Sequence, residues 1–210
     1  MQLIVEGLGC TRGGRPVLDH VSFTLNAGKA LVITGPNGIG KSSLLRTLAG
    51  LVRAHSGTMH LEEGDEDLTV GQQAHYFGHA DAIKPALSLK ENLDFWRAWY
   101  GHPARSPFQA LKEVNLEDLI DMPAAYLSAG QRRRLSLARL LVCYRPLWLL
   151  DEPTSALDKA SEKKLEVLMA EHLHEGGLII AATHAPLGLI DPERLHLDRH
   201  EAEDHEEEIA

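Results

Sequence analysis

Cysteine is almost missing: Cys10 and Cys143 are the only two in 210 residues, and no CxxC pattern joins them. A disulfide framework is excluded, and two reduced, buried thiols of a cytosolic protein are expected. Basic residues are also scarce. Lys and Arg number 21 against 30 Asp and Glu, the formal net charge is −9, and no long Lys/Arg run occurs. A nucleic-acid groove or a directly bound anionic membrane surface would need the opposite balance. No apolar stretch approaches the roughly eighteen residues of a membrane-spanning helix, so any span has to come from another chain. The opening MQLIVEGLGC is too short and, with Glu6, too polar for a signal peptide, and reads as a strand. There is no internal repeat.

What the chain does have is alternation. Runs rich in Val, Ile and Leu at 3–5, 17–25, 30–33, 147–150 and 178–182 are separated by helical patterns. That order predicts an α/β fold with a mainly parallel sheet. The first two runs alternate apolar with polar residues, as half-exposed antiparallel strands do, and are expected to form a separate small sheet. Between His79 and Val142 the pattern turns helical, and Ser88 with Glu91 makes a capping box before NLDFWRAWY. The length suits one domain: an α/β core at about 1–78 and 143–200, and a helical subdomain at 79–142. The segment EEGDED reads as a solvated turn, and the acidic tail 201–210 is expected to fray.

The stretch ITGPNGIGKSSLLRTLAGL carries the first chemistry. Gly35-x4-Gly40-Lys41-Ser42 follows an apolar run and opens a helical pattern, the strand, loop and helix order of a P-loop. Glycines let backbone N–H groups wrap phosphates, and the helix N-terminus favours anions. The cradle runs through Gly35, Pro36, Asn37, Gly38, Gly40, Lys41, Ser42 and Ser43, with Lys41 neutralising the β- and γ-phosphates and Ser42 offering its hydroxyl to Mg²⁺. The ligand is a nucleoside triphosphate.

Further on, RPLWLLDEP ends an apolar strand with Asp151 and Glu152, at the strand end where open α/β sheets bind ligands. Asp151 is suited to hold Mg²⁺ through water, and Glu152 to polarise an attacking water as general base. The plainer alternative is that both acids start the next helix. Upstream lies YLSAGQRRRLSLARLLV, in which Ser128 and Gln131 satisfy a capping box. Alone it reads as a capped helix with an exposed Arg132–Arg134 cluster.

The order of motifs goes further: P-loop, Leu127-Ser128-Ala129-Gly130-Gln131, the apolar run with Asp151 and Glu152, SALD at 155–158, and a lone His184 after LIIAAT. In this order the chain resembles the ATP-binding cassette (ABC) ATPase family across nearly its whole length. The resemblance implies ATP and Mg²⁺ as cofactors and a head-to-tail dimer with a second copy or a paired partner. Each ATP would then lie between one chain's P-loop and the other's Ser128, Gly130 and Gln131. It also implies that Asp158 contacts the opposite subunit and that His184 holds the γ-phosphate and the attacking water. Three places depart from the family pattern. Ala129 replaces a commoner glycine. His79 stands where a glutamine usually follows the strand, able to reach water or metal through a ring nitrogen, while Gln72 and Gln73 lie too far upstream to substitute. Arg12 stands where an aromatic commonly stacks on adenine; its guanidinium can stack too, and an exposed loop arginine is the equal alternative.

The chain is too short for the coiled coil of chromosome-type members or for two cassettes. The wording CTRGGRPVL, YFGHADAIKPALSLKENL, LSAGQRRRLSLARL and PLWLLDEPTSALD resembles the ATP-binding subunits of cytochrome c maturation haem exporters. That implies a multispanning membrane partner and a peripheral place on the cytoplasmic face of the inner membrane. A soluble ABC-type scaffold in cofactor or iron-sulfur assembly, or the ATPase of another small-substrate transporter, is the alternative. In LDFWRAWY, Leu93, Trp96 and Tyr100 share one helical stripe, which reads as core, and Phe95 and Trp99 another; a stripe left exposed would be the candidate contact for the membrane subunit. His172, His174, His196, His200 and His205 read as solvated side chains with no ligand role.

Overall fold

The computed structural model describes residues 1–198. The tail expected to fray, with His200 and His205, lies outside the described residues. Two long strands open the chain, β1 (Gln2–Arg12) and β2 (Arg15–Asn26), followed by β3 (Ala30–Thr34) and α1 (Lys41–Leu48). Next come β4 (Ser56–Glu62) and β5 (Ala74–Phe77), then the helices α2 (Leu89–Tyr100), α3 (Pro107–Glu113) and α4 (Ala129–Val142). The chain closes with β6 (Leu147–Asp151), α5 (Lys159–His174), β7 (Leu178–Ala182) and β8 (Glu193–His196).

The small sheet has the order β2-β1-β4 and is antiparallel; the larger, β5-β6-β7-β3-β8, is parallel throughout. Strands β6 and β7 are buried along their whole length. Their side chains divide by the two-residue period. Leu147, Leu149, Leu178 and Ile180 join one core with Leu44, Leu45 and Leu48 of α1 and Leu3, Val5 and Leu25 of the small sheet. Trp148, Leu150, Ile179 and Ala181 join the other with Leu135, Leu137 and Ala138 of α4 and Leu165, Leu168 and Met169 of α5. A strand covered on both faces has no use for polar alternation, which is why these two read as continuous apolar runs.

All five apolar runs lie in strands. Three strands carry no such run. β4 and β8 are mixed edge strands, and β5 buries a histidine, His75, whose Nε2 lies 3.0 Å from the carbonyl of Cys143. In 79–142 the helices form as expected, with capping boxes at Ser88, Ser106 and Ser128. The stripes of α2 separate: Leu93, Trp96 and Tyr100 pack on the core, whereas Trp99 is 72% exposed and stacks on Phe95. Both cysteines are free and buried. No helix among the described residues is long and apolar enough to cross a membrane.

Two expectations are corrected. His172 is buried rather than solvated, because it continues the inward face of α5 set by Leu165, Leu168 and Met169; it stacks on Trp148 at 4.2 Å. The arginine cluster of α4 is not uniformly exposed, since Arg133 falls on the same helical face as Ser136 and Leu140 and is 4% exposed.

Candidate nucleotide site

The loop between β3 and α1 takes its shape from two glycines. Gly40 has φ 116°, and a Cβ there would sit 2.9 Å from Leu18 and 3.1 Å from Val17. Gly35 has φ 136°, and a Cβ there would lie 2.4 Å from the carbonyl oxygen of Leu197. Any side chain at either position would push the loop off the elements that back it. One support is β2; the other is the end of β8.

Lys41 opens α1 and is nearly buried. Its ammonium curls over the loop and donates to the carbonyls of Gly35 (2.7 Å) and Pro36 (3.1 Å). His184, in the loop after β7, brings its Nε2 to 3.2 Å from Lys41 Nζ and 2.9 Å from Asn37 Oδ1. Nε2 offers a lone pair to Lys41 in one tautomer and a proton to Asn37 in the other. The ring bridges the phosphate loop in either case.

Ser42 Oγ donates to Asp151 Oδ1 at 2.9 Å, and the Tyr76 hydroxyl donates to Asp151 Oδ2 at 3.1 Å. Arg46 of α1 donates to the Tyr76 oxygen at 3.2 Å. Burial, with Asp151 adding to it, pushes the Tyr76 phenol above its ordinary value, so it stays protonated and able to donate. Glu152 is half-buried and holds a left-handed backbone, φ 47°. Its N–H donates to Ala182 O at 2.9 Å, and its own carbonyl accepts from Ser155 N at 3.1 Å and from Arg133 Nη2 at 3.0 Å.

Ser128 caps α4: its Oγ accepts from Gln131 N at 3.2 Å, and Gln131 Oε1 accepts from Ser128 N at 2.8 Å. Ser128 is exposed. A Cβ at Gly130 would lie 3.7 Å from the Ala156 carbonyl, so the start of α4 borders the loop that leads to Asp158. Asp158 in turn caps α5, accepting from Ser161 N at 2.8 Å, a bond that holds its carboxyl below the usual range.

The fold thus gathers two bonded groups, Lys41 with His184 and Asn37 and, beside it in the chain, Ser42 with Asp151, into one cluster. Ser128, Gly130, Gln131 and Asp158 make no bond to it among the described residues. Arg12 is exposed at the tip of the β1–β2 hairpin, opposite Arg15, and His79 is exposed just beyond β5. Gln73 serves the fold, its side chain bonding the backbone of Asp65 and Leu68, and Gln72 closes a turn on Thr69. Sequence reasoning missed Tyr76, Arg46 and Arg133. Tyr76 lies within the quoted YFGHADAIKPALSLKENL, but only strand pairing shows that it faces Asp151.

The family model described as "ABC transporter" matches residues 18–155. The "Cytochrome c biogenesis ATP-binding export protein CcmA" of Nitrobacter hamburgensis is 55% identical over 193 residues, covering 90% of this chain and 95% of that protein. The protein of the same description from Brucella abortus is 51% identical over 189 residues, covering 90% and 88%. Among solved structures, a putative ABC transporter ATP-binding protein from Pyrococcus furiosus superposes with a TM-score of 0.78 at 25% identity, over 94% of this chain and 98% of that one.

Proposed function

The chain belongs to the ABC transporter family, and from that membership we propose that it is the ATP-hydrolysing subunit of a transporter serving c-type cytochrome biogenesis, powering haem export or release of a haem-loaded chaperone. The observation that carries the ATPase half of this reading is the convergence of Lys41, His184, Ser42 and Asp151 around the phosphate loop. The identity to the CcmA proteins carries the other half.

In this reading the whole chain, 1–210, is one ATPase domain with a core at about 1–78 and 143–200 and a helical subdomain at 79–142. Lys41 now rests on loop carbonyls, the stand-in partners it leaves when phosphate oxygens arrive. Backbone N–H groups between Asn37 and Ser43 take the β-phosphate, with Arg12 the candidate for the base. Mg²⁺ fits Ser42 and Asp151, which are hard oxygen donors 2.9 Å apart. No trio of His, Cys, Asp or Glu able to hold a metal occurs among the described residues, as suits an ion that takes most of its ligands from phosphate and water. Ser42 would hold it directly and Asp151 through water, with His79 a further candidate, and the ion supplies charge neutralisation at the phosphates. Glu152 accepts the proton of the attacking water, and His184 orients water and γ-phosphate.

The second half of the site comes from a second copy, head to tail, which presents Ser128, Gly130 and Gln131 at the N-terminus of α4, with Asp158 beside them. A helix N-terminus binds anions, so γ-phosphate joins the copies and its loss releases them. The exposed Trp99 on α2, stacked on the half-buried Phe95, and the neighbourhood of His79 form the contact for a multispanning membrane subunit. The protein then works peripherally on the cytoplasmic face of the inner membrane. Haem-stained denaturing gels test the reading: a strain lacking the protein loses covalent haem on c-type cytochromes and keeps b-type cytochromes. Normal c-type bands in that strain, without a duplicate gene, overturn it, and a soluble rather than detergent-dependent partner would favour an assembly scaffold.

A further inference from the structure

Arg133 has no part in the reading above, yet its buried guanidinium ties α4 both to the segment after β5 and to the end of β6. It sits over the Phe77 ring at 3.8 Å. One end donates to the carbonyl of Gly78 and lies 3.5 Å from the Asp81 carboxylate. The other end, Nη2, reaches the carbonyl of Glu152 at 3.0 Å. Holding α4 in place cannot be its whole task. Ser136 and Arg139, one and two turns on, already fasten the same helix face to the same segment through the carbonyls of Asp81 (3.0 Å) and Tyr76 (2.6 Å). Only Arg133 of the three extends to Glu152.

Glu152 needs holding. A non-glycine residue at φ 47° is strained, and such a conformation persists where its surroundings fix it from several sides. Ala182 holds the N–H, while Ser155 and Arg133 hold the carbonyl. Ser155 belongs to the same turn and moves with it; Arg133 is the carbonyl's anchor from another element, as Ala182 of β7 is the N–H's. A planar group with donors at both ends suits two carbonyls, and a single amine or amide does not span them.

We propose that Arg133 is a positioning residue for hydrolysis: by clamping the Glu152 carbonyl it fixes the direction in which the Glu152 carboxylate leaves β6, for the ATP held by the same chain. The proposal rests on Glu152 as general base, and its test separates the two. In the protein isolated with its membrane partner in mild detergent, Arg133→Gln should lower kcat about tenfold with KM for ATP changed less than about twofold. Arg133→Lys, which keeps a charge beside Asp81 but has one donor point, should fall nearly as far. Added to Glu152→Gln, Arg133→Gln should cost no more than about twofold further, since it acts through a carboxylate already gone. Full additivity of the two losses, or wild-type kcat in Arg133→Lys, overturns the proposal. Wild-type turnover in Glu152→Gln alone would instead remove the general-base assignment. Placement distinguishes this role from a structural one. Lys41→Ala and Ser128→Arg chains, co-expressed with different tags, form dimers with one intact composite site, whose Glu152 comes from the Ser128→Arg chain. Arg133→Gln should depress that activity when carried by the Ser128→Arg chain and leave it within about twofold when carried by the other. Equal losses in both placements overturn the proposal. A parent pair with no recovered activity counts against the head-to-tail arrangement, and the double-mutant comparison still decides on Arg133.

Discussion

The phosphate-loop end and the Ser128 end of this molecule treat their polar groups in opposite ways. At the first, side chains from distant parts of the sequence bond one another: Lys41 with His184, Ser42 with Asp151, Asp151 with Tyr76. At the second, the side chains of Ser128, Gln131 and Asp158 bond backbone within their own helix ends, three positions away. Long-range bonds report a preformed pocket. Local caps report helix ends that are stable and exposed but have no long-range task inside their own chain. The contrast is what the proposed two-copy site requires, one half held ready and the other presented.

The contrast can be attacked from the catalytic end first. Glu152→Gln should lower ATP turnover on the order of a hundredfold or more while ATP binding persists, measured by phosphate release and by equilibrium nucleotide binding. Turnover at the wild-type rate would remove Glu152 from its role. Lys41→Ala and Ser128→Arg should then part company. The first weakens nucleotide binding about tenfold or more in a single chain, whereas the second leaves monomer binding within about twofold and abolishes dimer turnover. If both weaken monomer binding alike, the two ends are not halves of a shared site.

Acid should discriminate between the two sides of the parallel sheet. His75 and His172 lie on the α4 and α5 side, and burial depresses them to about 3 and about 4. The unfolded chain binds these protons first, near 6.5, so the stability they contribute is complete above that pH and drains as pH falls toward the folded values. Between pH 6.5 and 5 the loss from His75 alone is on the order of 2 kcal/mol. Denaturant unfolding at the two pH values measures it, and a His75→Phe variant should show a shallower dependence. The smallest effect expected is that of Tyr76→Phe. Removing the hydroxyl that fixes Asp151 Oδ2 should reduce turnover about threefold and raise the Mg²⁺ concentration needed for half activity, with the fold unchanged.

Much of this was legible in the chain itself, for a physical reason. β6 and β7 are buried on both faces, so burial wrote them as unbroken apolar runs. The phosphate loop and the capping boxes at Ser88 and Ser128 follow from local backbone needs that few residue types meet, and the box at Ser106, not read from the sequence, obeys the same rule. What stayed hidden depends on long-range pairing. β8 is a four-residue edge strand reading ERLH, exposed along most of its length, and nothing in its composition marks it. Arg133 sits between two other arginines and looked solvated with them; helix phase against a packed sheet, rather than residue type, buries it. Tyr76 meets Asp151 only because β5 lies beside β6, and Arg46 reaches the Tyr76 hydroxyl from α1, which packs on β6.

The strand order has a consequence for how the protein is made. β3, which carries the phosphate loop, lies between β7 and β8, so both of its neighbours leave the ribosome long after it, behind β6 and α5. Gly35 moreover rests against the Leu197 carbonyl. A nascent chain that has completed every glycine and lysine of the loop therefore still lacks the walls that shape it. Nucleotide affinity should arrive late in synthesis, after the Glu152 strand and its histidine neighbour have been added. An unfinished chain is thereby kept from occupying ATP, or a transporter, before it is able to hydrolyse.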